Sequence, residues 1–165
     1  MTEEDRTETA LRSLRMQLGE VRDEARFDRA QASFLALATA LALVQTALTA
    51  TTWFNLHDDA DLIPRTAWHQ PTEINWFGHV AVLLLLGFTL ASLLVAHAVN
   101  TTMPGAHWLL AAVGAVTAVA LFVLVLQLDH DTTTAPGFWF TLLAVLGLAL
   151  THGIRGDALR AQPIR

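Results

Sequence analysis

Long apolar runs alternate with short polar segments along most of the chain. No Asp, Glu, Lys or Arg occurs in residues 30–56, 74–128 or 132–154. The longest of these runs divides at the turn-forming sequence Asn-Thr-Thr-Met-Pro-Gly, residues 100–105. Because about 20 apolar residues in a helix cross the roughly 30 Å hydrocarbon layer of a bilayer, the pattern predicts four membrane-spanning helices, at about 34–53, 74–99, 106–128 and 137–151.

Proline and glycine mark where two of these helices should begin and where the last should end. Pro104 and Pro136 each follow threonines, and proline is tolerated in the first turn of a helix while a preceding threonine can cap it. Gly153 is a suitable stop for the fourth helix. Small residues at helix-packing spacing, such as Gly87 with Ala91 and Gly114 with Ala118, favour close packing of the helices.

The polar segment before the first span has its own apolar periodicity. Its apolar residues recur at alternating spacings of three and four, which makes a seam of about two heptads with charge on the other faces: Leu11, Leu14, Leu18, Val21 and Ala25. This predicts an amphipathic helix over 1–30. The helix could lie on the inner leaflet or against the spans, associate with a second copy, or recruit a separate partner. Its eight acidic residues disfavour the inner leaflet, which is itself negative.

The predicted fold is an all-α membrane protein. Its domains are the cytoplasmic amphipathic helix 1–30, a transmembrane domain 31–154 and a cytoplasmic tail 155–165. Short connections make consecutive helices antiparallel neighbours, so the four spans should form an up-down-up-down bundle.

Arginine counts predict the orientation. Six arginines precede the first span and three follow the last, whereas the connections on the opposite side carry Arg65 alone. The positive-inside rule then places both termini in the cytoplasm, in the plasma membrane of a bacterium. Most tryptophans, including Trp53, Trp68, Trp76 and Trp139, would then gather at the outer boundary as an aromatic belt.

Composition supports this class and removes others. Hydrophobic residues make up 53% of the chain and charged residues only 15%, against about a quarter charged in a soluble domain. The net charge of −5, with no basic patch, disfavours a nucleic acid partner. The absence of cysteine excludes disulfides, thiolate metal sites and thiol redox chemistry.

The predicted spans contain no carboxylate, lysine or arginine. Proton- and ion-coupled transporters usually carry such a group within the membrane, so the pattern argues against that class. Gln45 and Thr46 are the most polar central residues. We expect them to bond to a neighbouring helix or to a carbonyl one turn back, rather than to line a pore.

Histidine and aspartate cluster in the two outer connections. Imidazole and carboxylate together suit zinc or another divalent transition metal. The candidate ligands are His57 and Asp59 in the first connection and Asp129 and His130 in the second. The alternative is a solvated acidic rim that binds no metal.

Haem is a weaker hypothesis than zinc. His79 and His97 are eighteen residues apart, five helical turns, and so share a face, and His152 ends the fourth span near the depth of His97. All of these histidines, like His107, lie near span boundaries, where a histidine needs no ligand. We therefore expect no haem and no other resident cofactor.

Nothing in the sequence combines a nucleophile with a base, or forms a phosphate-binding loop. The first hypothesis is therefore a non-enzymatic structural or accessory membrane protein that contacts lipid and forms a homo-oligomer or part of a larger membrane complex. The second is an oligomeric channel with its path between subunits. The third is an outward-facing metal-binding or sensing protein.

Overall fold

The computed structural model describes residues 3–58, 61–68, 76–99, 103–128 and 132–161, and the side chains within these ranges except those of 3–7, 58, 61 and 99. The described chain is mostly helical. In order, its elements are α1 (Glu3–Leu48), β1 (Thr52–Asp58), β2 (Asp61–Thr66), α2 (Trp76–Leu94) with a π-helical segment (Val95–Val99), α3 (Pro104–Leu126), β3 (Thr132–Thr134) and α4 (Pro136–Arg160).

Four helices are long and apolar enough to cross a membrane. The stretches that meet this condition are Glu8–Leu48, Trp76–Ala98, Pro104–Leu126 and Pro136–Arg160. The prediction of four apolar helices is therefore confirmed. The largest differences at the C-terminal ends are that α1 ends at Leu48 rather than 53 and that α4 continues to Arg160, past 151 and past Gly153.

The chain divides into two compact units, Met1–Ser33 and Phe34–Arg165. In the first unit the structure describes a helix whose side chains from 8 to 33 are almost all exposed. The second unit contains a continuous cluster of buried apolar residues contributed by all four helices and by β1. Representative members, at most 1% exposed, are Ala42, Leu85, Leu121, Val145 and Trp53.

A three-stranded antiparallel sheet of order β2-β1-β3 joins the connection after α1 to the connection before α4. The sequence did not predict it. β1 pairs with β2 from Thr52 opposite Thr66 to Asp58 opposite Asp61, and with β3 from Phe54 opposite Thr134. β2 is an edge strand, which is where a sheet tolerates a proline such as Pro64.

The start of the sheet is anchored on the end of α1. Trp53 is fully buried, and its indole Nε1 donates a 2.9 Å hydrogen bond to the Leu48 carbonyl at the end of α1, which also accepts a 3.1 Å bond from the Thr51 backbone N–H. The Trp53 and Phe54 rings lie 5.7 and 5.4 Å from the Phe138 ring in the first turn of α4. The Trp53 ring is therefore enclosed by the protein and not exposed, and the position of the tryptophans at a membrane boundary stays a prediction.

Helix starts agree with the proline signal but not with the threonine signal. Pro104 and Pro136 occupy the first turns of α3 and α4. The capping residues are Met103 and Ala135, and neither makes a side-chain capping bond. Thr134 instead lies in β3, and its hydroxyl accepts a 3.2 Å bond from the Trp139 indole.

Candidate functional sites

The predicted outer metal site falls largely outside the described residues. His57 lies on β1 opposite Leu62 and is exposed, whereas Asp59, Asp129 and His130 are outside the described ranges. Within those ranges, no three His, Asp or Glu side chains converge as metal ligands would. The zinc site stays a prediction.

The described chain instead contains a buried pair of histidines between α3 and α4. His107 lies in the first turns of α3 and His152 in the second half of α4, and both are fully buried. Their two Nδ1 atoms are 3.0 Å apart, a hydrogen-bond distance. The rings stack, with centroids 5.3 Å apart and an interplanar angle of 30°.

Phe34, on α1, encloses the pair. Its ring meets both imidazoles edge to face, with centroids 5.2 Å from His107 and 5.5 Å from His152. The guanidinium carbon of Arg155 lies 5.6 Å from the centroid of the same phenyl ring, within range of a cation–π contact, and Arg155 is only 4% exposed. His152 and Arg155 are three residues apart and so share a face of α4. The pair, Phe34 and Arg155 are called the histidine cluster below.

A second aromatic contact adjoins the histidine cluster. Trp108 follows His107, and its indole packs against the backbone of α4 at Gly156, where a Cβ would come within 2.9 Å of the ring. The Arg160 guanidinium lies 5.4 Å from the Trp108 centroid. Glycine at 156 therefore allows α3 and α4 to approach closely beside the histidines.

Sequence reasoning placed His107 and His152 near boundaries but did not pair them. It grouped His152 with His97, whereas the structure places His152 against His107 and leaves His97 exposed, with its Nδ1 2.9 Å from the carbonyl of Leu93 in its own helical turn. A signal was available. In an antiparallel hairpin, residue 107 lies 19 residues before the end of α3 and residue 152 lies 16 after the start of α4, which puts both at similar depth.

The geometry of the pair defines its chemistry. A neutral imidazole carries one N–H donor and one acceptor nitrogen, so a 3.0 Å contact between two Nδ1 atoms requires one ring to donate and the other to accept. The two rings are consequently different tautomers. Two nitrogens alone give a metal few ligands, whereas they are sufficient to hold a proton.

Gln45 makes a second buried polar contact, between α1 and α2. Its amide nitrogen donates to the Thr89 hydroxyl and, at 3.4 Å, to the Leu85 carbonyl, while the Thr89 hydroxyl donates at 2.7 Å to the same carbonyl. Thr46 donates at 2.9 Å to the Ala42 carbonyl. Both predicted bonding modes, to a neighbouring helix and one turn back, are confirmed.

The apolar seam of the first unit is exposed. Leu11, Leu14, Leu18 and Val21 expose 50%, 56%, 56% and 64% of their surface. Exposed leucines contribute no hydrophobic burial, and large contiguous apolar surfaces usually mark contact with a partner or a membrane.

No family model, curated protein or solved structure matches this chain. What it does is therefore inferred from its own contacts, exposed surfaces and charges.

Proposed function

We propose that this chain is a non-enzymatic integral membrane protein, a structural or accessory component that self-associates through its N-terminal helix. The observation that carries the proposal is the exposed seam, an apolar stripe in the N-terminal part of α1, which is itself the first of four helices apolar enough to cross a membrane. Because every copy would be held in one membrane, a weak seam suffices: confinement raises the effective concentration of one seam near another.

The proposed arrangement is an up-down-up-down bundle in the plasma membrane with both termini cytoplasmic. The pairing of β1 with β3 supports it, because it brings the connection after α1 beside the connection before α4. The arginine distribution supports the orientation. Since the native chain lacks cysteine, a cysteine at Thr133 should react with an impermeant thiol reagent in intact cells and one at Ser13 should not. The reverse pattern would overturn the orientation.

Charges beside the seam favour a parallel pair of copies. With Leu11 and Leu18 at heptad position a, Arg22 and Arg29 fall at position e, and Gln17 and Glu24 at position g. In a parallel coiled coil each g residue faces the e residue of the next heptad in the other copy, which pairs Glu24 with Arg29. An antiparallel pair would face arginine with arginine. Copies inserted in one orientation must also pair in parallel.

The seam is short, which sets the expected strength. The next core position after Ala25 is Asp28, whose carboxylate would be costly between two helices. Burying each leucine contributes roughly 1.5–3 kcal/mol, so the assembly should be sensitive to the loss of two.

The test is the mass of the protein in native nanodiscs. Wild type should be an oligomer, and Leu14→Asp with Leu18→Asp should be a monomer. The matched control is Ser13→Asp with Met16→Asp, which adds the same charge to the same turns away from the seam and should keep the wild-type mass. A monomeric wild type contradicts the proposal, and an oligomeric double-leucine variant removes the seam from it.

Whether the two N-terminal helices pair in parallel is tested by exchanging the charges of one predicted ion pair. Glu24→Arg should weaken a parallel assembly by facing two arginines, and adding Arg29→Glu should restore it because the pair is then re-formed with reversed signs. Failure of the second change to restore the mass would argue against the parallel register.

A further inference from the structure

We propose that His107 and His152 form a proton-binding site between α3 and α4. While a single hydrogen lies between the two Nδ1 atoms, the pair holds the two helices together. When both rings are charged, the contact between the helices loosens. The inference is independent of self-association, since all of its residues lie in the second unit.

The distance between the rings limits the number of protons. An N–H bond is about 1 Å long, so a 3.0 Å separation of the two Nδ1 atoms accommodates one hydrogen between them. Two N–H groups directed at each other would leave only about 1 Å between their hydrogens. The contact therefore requires that one of the two Nδ1 atoms stays unprotonated.

The first added proton is compatible with the contact. In the neutral pair the donating ring carries its hydrogen on Nδ1, so its Nε2 is the unprotonated nitrogen and the one that takes the first added proton. The result is an imidazolium donating to a neutral imidazole, which is a charge-assisted and stronger hydrogen bond. The second proton must bind the accepting Nδ1, and doing so removes the acceptor.

Two features oppose the doubly charged state. The ring centroids are only 5.3 Å apart, both rings are fully buried, and like charges repel more strongly where water is excluded. The guanidinium of Arg155 adds a third positive charge, because it lies over the Phe34 ring that packs on both imidazoles.

Other described titratable groups lie on the elements packed around the pair. On α4, Asp157 is exposed and lies five residues from His152, on a different face, and Arg160 contacts Trp108. On α2 and the segment after it, His79 is half-buried in the first turn and His97 is exposed. From 34 to 48, α1 contributes no charged residue.

The expected consequence is mechanical. Separation of two charged rings would push the start of α3 from the second half of α4. These helices also meet nearby at Trp108 and Gly156, where the close approach leaves little room to adjust. Lowering pH should therefore widen the spacing of α3 and α4 at this end.

The movement can be measured between two spin labels. Gly105 has open space around its Cα and Ile154 is exposed, so Gly105→Cys and Ile154→Cys place labels on α3 and α4 near the pair in a chain without native cysteine. From about pH 7.5 to about pH 3.5, well below the ordinary histidine value near 6.5 because burial and the neighbouring charges oppose the second proton, the single neutral-pH distance should broaden and lengthen. The same experiment with His152→Gln should show no pH response, whereas His97→Asn should keep the wild-type response.

Three results would overturn the proposal: no pH response in the chain with native histidines, a response that persists in His152→Gln, or one that disappears only in His97→Asn. If His152→Gln fails to fold, ¹⁵N spectra of labelled histidines in the native chain decide instead. At neutral pH one buried ring should carry its hydrogen on Nδ1 and the other on Nε2, with a scalar coupling across the shared N–H···N contact. Two buried rings of the same tautomer would contradict it.

Discussion

The contacts of α4 and of α2 with the rest of the second unit differ in kind. At α4 the contacts involve glycine: Gly137 meets the chain just after α1, Gly114 of α3 meets Ala149, and Gly156 meets Trp108. α2 is joined to α1 by the Gln45 side chain and meets Gly114 of α3 through the Phe88 ring, while its own Gly87 faces open space.

This difference shows that a small-residue pattern does not by itself identify an interface. Gly87 with Ala91 and Gly114 with Ala118 have the same spacing, and both patterns favoured close packing. Of the two, only the pattern at Gly114 gives close packing within the chain. A Cβ at Gly114 would lie 2.6 Å from the Ala149 Cβ and 2.6 Å from the Phe88 ring, whereas nothing lies within 4 Å of a Cβ at Gly87. Glycine contacts bring backbones together, while a long amide side chain joins helices that are farther apart.

The largest effect should come from Gly137→Ala, because the added Cβ meets the backbone carbonyl of Thr52 and the hydroxyl of Thr51, and a backbone cannot rotate away as a side chain can. We expect a loss of stability toward the upper end of the roughly 1–3 kcal/mol range for overpacking. The measurement is the free energy of unfolding in detergent. Gly105→Ala is a close control, because each glycine follows a proline in the first turn of its helix and Gly105 has open space.

Gly105→Ala should leave stability unchanged or raise it slightly, since alanine favours the helix over glycine. If Gly137→Ala and Gly105→Ala lowered the free energy of unfolding equally, the cause would be the replacement of glycine after proline in the first helical turn and not the close contact of α4.

The extent to which sequence predicts these features follows from how local each one is. Four helices follow from apolar runs, because each run carries its own signal. The sheet does not, because β1 and β3 are far apart in sequence and β3 is three threonines long. The bonds of Gln45 and Thr46 were foreseen as types, since a buried polar group must find a partner.

Predicting the contact of His107 with His152 requires knowing how α3 and α4 are aligned along their length. The only indication in the sequence is that the two residues lie at similar depth in consecutive predicted spans. Neighbouring helices approach closely at Gly114 but not at Gly87. Which of the two glycines faces a neighbour depends on the rotation of each helix about its axis, and a run of uniformly apolar residues does not specify that rotation. The spacing of leucine and charge in the first unit is a property of the sequence itself, and its use as a contact surface stays a prediction.

A smaller effect is expected from Gly114→Ala. The Phe88 ring can rotate away from the added methyl group, but the Ala149 Cβ is fixed to the α4 backbone, so α3 and α4 must separate slightly. We expect a loss of about 1–2 kcal/mol. Gly87→Ala is the control on α2 and should change the free energy of unfolding by less than about 0.5 kcal/mol. A destabilised Gly87→Ala would mean that α2 also packs through its glycine, against a second copy.

The smallest effect should come from the side-chain contact of α2. A double-mutant cycle of Gln45→Leu and Thr89→Val isolates the coupling between the two side chains, which averages about 0.6 kcal/mol for such bonds between membrane helices. Thr46→Val is the control, because its hydroxyl bonds only within α1, to Ala42, and it should show no coupling with Thr89→Val. An amide and a hydroxyl do not titrate, so the Gln45–Thr89 coupling should be the same at about pH 7.5 and about pH 4.5, across the histidine range. A coupling above about 2 kcal/mol would show that one hydrogen bond joins α1 to α2 as firmly as the glycine contacts join α4 to its neighbours, and the contrast between the two helices would not hold.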